Sequence, residues 1–74
     1  MSITVYSKPA CVQCTATIRA LNARGIEHDV IDLTLDAEAM EKVTGLGYRQ
    51  APVVVTDADH WAGFRPDRIA TLVA

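Results

Sequence analysis

Cysteine is scarce in this chain. There are two among 74 residues, Cys11 and Cys14. So few cysteines exclude a disulfide-stapled scaffold, and a bridge closing so short a loop would constrain little of the unfolded chain. Aromatic residues are scarce as well, with one Trp, one Phe and two Tyr. The core must therefore be built from Val, Ile, Leu and Ala. Basic residues are scattered and do not interleave with aromatics, which argues against a nucleic-acid surface. The net charge of -2 is mild. No apolar run reaches membrane-spanning length. The N-terminal residues Met1-Ser2-Ile3-Thr4 lack a charged region followed by an apolar one, so no signal peptide is expected and the cytoplasm is the expected compartment. In that compartment a lone Cys-x-x-Cys is catalytic or metal-binding more often than structural.

Half the residues are apolar and 22% are charged, a balance that favours a folded chain over a disordered one. The length suits one domain over residues 1–74. A domain of this size buries only about 60% of its unfolded surface, so its stability is expected to be modest.

Ile3 to Tyr6 reads as a first strand, buried on both faces and ended at Lys8-Pro9-Ala10, because proline cannot continue a central ladder. A helical pattern follows from Val12, with Cys14, Ile18 and Leu21 on one face. Arg19 and Arg24 lie toward its C-terminal end, where the dipole favours cations, and Gly25 suits the C′ position. Ile26 to Leu33 reads as a second strand, with Val30, Ile31 and Leu33 as its apolar part and its carboxylates marking a solvated edge. Strand, helix and strand in so short a span define a βαβ unit with parallel strands.

Asp36 is the expected N-cap of a second helix, with Leu35 and Met40 as a hydrophobic staple. Met40, Val43 and Leu46 are expected to face inward, and Gly45 and Gly47 to break the helix. Ala51-Pro52 precedes a β-branched third strand, Val53-Val54-Val55. His60 to Phe64 forms a fourth strand, antiparallel to the third. Pro66 near N1 and Asp67 in the first turn open a last helix, with Ile69, Leu72 and Val73 inward. The expected architecture is α/β, in the order βαβαββα: a four-stranded mixed sheet flanked by three helices.

This order delivers the cysteines from a strand to a helix N-terminus. The thiolate is the nucleophile of disulfide exchange, and an ordinary cysteine of pKa about 8.5 is only about 3% ionised at neutral pH. Lowering that pKa to about 7 raises the fraction to about half. Free N–H groups and the helix dipole supply part of the shift, and Lys8 can add positive charge. Val12 and Gln13 bring no carboxylate to the first turn. Cys11 falls at the exposed end and Cys14 about one turn inside, on the buried face. The expected roles are Cys11 as attacking thiolate and Cys14 as resolving thiol.

Three segments resemble the NrdH-redoxins, small glutaredoxin-like members of the thioredoxin superfamily. They are Lys8-Pro9-Ala10-Cys11-Val12-Gln13-Cys14, Gly47-Tyr48-Arg49-Gln50-Ala51-Pro52-Val53-Val54 and His60-Trp61-Ala62-Gly63-Phe64-Arg65-Pro66-Asp67. The likeness spans essentially the whole chain, and the combination is far more specific than Cys-x-x-Cys alone. Ala62 departs from it, standing where serine is expected and removing a hydroxyl. The resemblance implies a thioredoxin/glutaredoxin-like fold, reduction by thioredoxin reductase and electron donation to the large subunit of class Ib ribonucleotide reductase. It implies no bound cofactor, since electrons come from NADPH through the flavoprotein reductase, and it suits a monomer. It also implies a cis Pro52, which would offer the Ala51 backbone beside Cys11 to an extended substrate segment. Lys8, Val12, Gln13, Ala51, Pro52 and Trp61 are the candidate substrate and partner contacts.

Two alternatives stay open. A glutathione-dependent glutaredoxin usually carries Cys-Pro-Tyr-Cys and a Gly-Gly-x-Asp helix start; here Val12-Gln13 and Phe64-Arg65-Pro66-Asp67 stand instead. A small metallochaperone could hold Cu(I) on two thiolates. Against it stand Ala51-Pro52 before a strand and the absence of methionine beside the cysteines. Zinc would need two more ligands, and only His28 and His60 could join the cysteines, far apart in sequence. No metal is therefore assigned. His28 and His60 read as surface residues, and Arg65 and Asp67 as a local exposed pair.

Overall fold

The structure, a computed structural model, describes residues 2–72. Its elements are β1 (Thr4–Ser7), α1 (Val12–Ala23), β2 (Asp29–Asp32), α2 (Ala37–Gly45), β3 (Val53–Val55), β4 (His60–Ala62) and α3 (Pro66–Ile69). The strands form one sheet in the order β2-β1-β3-β4. β1 pairs parallel to β2, while β3 runs antiparallel to both β1 and β4. The mixed sheet and three helices are those expected from the sequence.

Alternation explains the two-sided burial. Val5 and Tyr6 are neighbours on β1 and must face opposite sides, as must Val53 and Val54 on β3. Val5 and Val54 join Leu21, Ile26, Trp61 and Ile69 in one core cluster. Tyr6 and Val53 join Leu33, Ala39 and Val43 in another. α1 and α3 therefore cover one face and α2 the other, and the central strands lie within a three-layer stack.

Backbone hydrogen bonds close both long helices. Ile26 N–H donates to Leu21 O and Gly25 N–H to Asn22 O, each at 3.0 Å, with Gly25 at φ +68°. This is the six-to-one and five-to-two pattern that a left-handed C′ residue permits. Tyr48 N–H to Val43 O and Gly47 N–H to Thr44 O repeat it for α2, with Gly47 at φ +94°. Gly45 lies inside α2, so Gly47 is the glycine that ends the helix. Asp36 caps α2 as expected, accepting the Ala39 N–H at 3.0 Å.

Several expectations are corrected. β2 starts at Asp29 because Ile26 is used to close α1, and as an edge strand it leaves Val30 half-exposed. Leu35 and Met40 are both exposed, so they bury little as a staple. Ala39 and Val43 carry the inward face of α2, while Met40 and Leu46 turn outward. Thr17, rather than Ile18, is the fully buried residue between Cys14 and Leu21; its hydroxyl donates to Gln13 O at 2.9 Å, while Ile18 packs at the cluster's rim. Arg24 is the C-cap of α1, at its C-terminal end as expected, while Arg19 lies before the last turn. β4 ends at Ala62, since Gly63 at φ +84° turns the chain away. Ile69 is buried beneath α3, Leu72 packs partly beside it, and Val73 lies outside the described residues.

Candidate active site

β1 leaves the sheet at Ser7 and the chain must reverse into α1 within four residues. Ala10 makes that turn at φ +55°, a left-handed conformation that costs a non-glycine residue about 1 kcal/mol or more. Cys11 then takes the N-cap position in extended conformation. Its sulfur accepts the Cys14 N–H at 3.1 Å, the place a Ser, Thr or Asp oxygen usually fills. Its carbonyl accepts the Thr15 N–H, also at 3.1 Å.

Cys11 and Cys14 are joined as a disulfide, with Cα atoms 5.2 Å apart. The two sulfurs meet different surroundings. Cys11 is partly exposed, while Cys14 is only 3% exposed. The first turn of α1 holds no acidic side chain. Val12 stands 84% exposed beside the pair, and Lys8 is exposed on the preceding loop.

The Ala51–Pro52 peptide bond is cis, as expected, and Pro52 is fully buried at the start of β3. A groove of about 170 Å³ runs past Ala51, with Lys8, Arg49, Leu33, Met40 and Tyr48 among its lining residues. Tyr48 is held from behind, its hydroxyl 2.7 Å from His60 Nδ1.

Two candidate contacts have other duties. Trp61 is 4% exposed and belongs to the core, so it offers no surface to a partner. Its Nε1–H is buried without a hydrogen-bond partner, and the Arg68 guanidinium lies 6.0 Å from its ring centroid. Arg68 is in turn paired with Asp59. Phe64 takes the exposed aromatic position instead. Gln13 is exposed, but its side-chain oxygen is committed within the molecule: it accepts the Phe64 N–H at 3.0 Å. Gly63 and Phe64, both in the Trp61–Asp67 segment, thus meet the site through their backbone amides, a contact that no local pattern in the sequence signals.

The Arg65 guanidinium grips Asp67 through two nitrogens, at 3.1 and 2.9 Å. That hydrogen-bonded pair holds the Asp67 carboxyl below its ordinary value and raises Arg65. Both side chains are exposed, so this is a local feature of the α3 start. Among the described residues no group of three or more His, Cys, Asp or Glu is placed to hold a metal ion. The His28 ring sits 2.9 Å from Ile26 O, at the far end of the sheet from the cysteines.

A cystine at the mouth of a helix, with one sulfur outward and one buried on a mixed sheet that carries a cis proline, defines a thiol–disulfide oxidoreductase of the thioredoxin/glutaredoxin fold. Comparison with known proteins narrows the class. The Glutaredoxin family profile matches residues 3–61. The glutaredoxin-like protein NrdH of Salmonella typhimurium is 44% identical over 72 residues, 97% of this chain and 89% of that protein. The NrdH protein of Lactococcus lactis is 40% identical over 70 residues, 95% of this chain and 97% of its own length. The solved structure of the Escherichia coli NrdH-redoxin, described as glutaredoxin-like with a thioredoxin-like activity profile, superposes with a TM-score of 0.96 at 43% identity, covering 100% of this chain and 97% of that one. This chain belongs to the glutaredoxin family, among its NrdH glutaredoxin-like members.

Proposed function

We propose that this protein is a cytoplasmic disulfide reductase, acting as a single-domain monomer, in which Cys11 attacks and Cys14 resolves. The observation that carries the reading is the difference between the two sulfurs: Cys11 partly exposed at the helix cap, Cys14 3% exposed behind it. The Cys11 thiolate attacks one sulfur of a substrate disulfide, forming a mixed disulfide and expelling the other sulfur as thiolate. Cys14, deprotonated, then attacks Cys11 Sγ and releases the second substrate thiolate. Two electrons reach the substrate and the Cys11–Cys14 bond is restored. The Cys14 N–H that now donates to Cys11 Sγ is available to the anion formed when the bond is opened.

Thioredoxin reductase is the proposed electron source, drawing on NADPH, and the large subunit of class Ib ribonucleotide reductase the proposed acceptor. Support comes from identity to NrdH proteins over nearly the whole chain, and from the thioredoxin-like activity profile of the Escherichia coli relative. Val12-Gln13, in place of the Pro-Tyr usual in glutathione users, supports it further. Lys8, Val12 and the Ala51–Pro52 backbone are the proposed contacts; the backbone before the cis proline is proposed to pair strand-like with a substrate segment.

A coupled assay tests this. NADPH, thioredoxin reductase, the protein and a disulfide substrate are compared with NADPH, glutathione reductase, glutathione and the protein. Turnover is expected with the first system and weak coupling with the second. Turnover with glutathione alone would reverse the assignment of the reductant. Stoichiometric Cu(I) binding without reductase activity would favour the metal-carrier alternative.

A further inference from the structure

The cysteine loop and the cis-proline loop belong to separate segments, yet a reductase must hold them at a fixed spacing. The first carries the attacking sulfur and the second the backbone that aligns the substrate. The dipeptide Gly63-Phe64 touches both. Gly63 N–H donates to Pro52 O at 2.8 Å, and the next amide, Phe64 N–H, donates to Gln13 Oε1 at 3.0 Å. Two consecutive amides thus reach the first turn of α1 and the cis-proline loop, which the left-handed turn at Gly63, φ +84°, makes possible. A Cβ at Gly63 would lie 3.2 Å from the same Gln13 oxygen, so a side chain there would press on the link as well as strain the backbone.

Resting on the disulfide-exchange reading above, we infer that Gln13 is a positioning residue: its amide oxygen, through Phe64 and Gly63, sets the spacing between the Cys11 sulfur and the cis-Pro52 loop. The dependence is specific. A protein disulfide must pair with the backbone before Pro52 while its sulfur meets Cys11, so it needs both loops in register. A small organic disulfide needs Cys11 alone. The link therefore matters to the first substrate and little to the second, and the ratio of the two rates measures it.

The experiment uses pre-reduced full-length protein in single turnover, with oxidised insulin-type protein disulfide and with bis(2-hydroxyethyl) disulfide. No reductase partner is present. Gln13→Met removes the acceptor at nearly constant shape. The expected result is a fall of about tenfold in the ratio of protein-disulfide to small-disulfide rate, short of the roughly hundredfold loss that misplacement of reacting groups by about 1 Å can produce. Gln13→Glu keeps an oxygen in place and should restore the ratio, while its added charge appears separately as a raised midpoint in the pH profile of both rates. Amide hydrogen exchange at Phe64 should accelerate in Gln13→Met and not in Gln13→Glu. Gly63→Ala should lower the ratio by the other end of the link. An unchanged ratio in Gln13→Met, or an equal slowing of both substrates, would overturn the inference. Wild-type protein inert toward both disulfides would instead overturn the proposed function.

Discussion

The Cys11 sulfur accepts a hydrogen bond from the Cys14 N–H at 3.1 Å, across the same turn that the disulfide closes. One atom is both the exposed end of the cystine and the cap of α1. Its partner lies beneath it at 3% exposure. In the proposed mechanism that asymmetry divides the labour between the two sulfurs. Cys11→Ser should abolish turnover, while Cys14→Ser should accumulate a mixed disulfide with a protein substrate, seen as an adduct on non-reducing gels or by mass spectrometry. Full turnover of a protein disulfide by Cys14→Ser would show that the buried sulfur does not resolve the intermediate.

The same hydrogen bond bears on ionisation. After reduction the Cys14 N–H and the α1 dipole both favour negative charge at Cys11, and no carboxylate in the first turn opposes it. Thiolate absorbance in the ultraviolet should therefore report one thiol ionising below the about 8.5 of free cysteine. The buried second thiol should ionise above it. Disulfide-exchange rates should rise with pH through the lower transition. A Cys11 that titrates like free cysteine would remove the electrostatic basis of the mechanism.

α2 offers a test of local stability away from the cysteines. Asp36 accepts the Ala39 N–H at 3.0 Å, and its staple partners Leu35 and Met40 are exposed. The cap is thus the main local device at this helix start. Asp36→Ala should cost about 1 kcal/mol, lowering the melting temperature by roughly 4–8 °C in a domain of this size. Asp36→Asn, which keeps the oxygen, should recover most of it.

Much of the site follows from local rules, which is why it could be read in the sequence. Cys14 and Leu21 lie seven residues apart on one helical face, and both are buried. The β-branched run Val53-Val54-Val55 yields a strand buried on both faces because β3 is internal to the sheet. What escaped depends on tertiary placement. Val30 belongs to an apolar run, but its exposure was decided by β2 becoming an edge. Ile26 continues the same run yet closes α1 instead. Gln13 and Phe64 are separated by 51 positions, and no periodicity links a polar side chain to a backbone amide so distant. Trp61 and Phe64 could each have been the core aromatic by alternation. Pairing of Trp61 opposite Val54 and the turn at Gly63 settle that Trp61 goes inward.

Trp61 gives a prediction in which two effects compete. Its indole fills the core, so Trp61→Ala should cost about 3–5 kcal/mol. Its Nε1–H is buried and unpaired, a state that itself carries a penalty. Trp61→Phe keeps most of the ring and deletes that donor, so it should cost much less than the alanine variant. Chemical denaturation of the two variants measures the difference. A core role also predicts that Trp61→Phe leaves the apparent affinity for the proposed reductase partner within about twofold, a change of about 0.4 kcal/mol on a scale where tenfold is about 1.4.

The Arg65–Asp67 pair sets the last prediction, and its sign follows from the direction of the shift. The two hydrogen bonds from Arg65 hold Asp67 below its ordinary carboxylate value. A carboxyl whose folded value is depressed stabilises the fold above the unfolded value, about 3.9, and loses that contribution as pH falls through the folded value. Asp67 also occupies the first turn of α3, where negative charge suits the helix start. Both side chains are solvated, so the effect on stability should be small and should shrink as salt is raised. Carboxyl NMR titration should find Asp67 below its ordinary carboxylate value at low salt, with most of the difference removed in Arg65→Gln. If Asp67 titrates identically in wild type and Arg65→Gln, the pair does not persist in solution and the α3 start is held by Pro66 and the buried Ile69 alone.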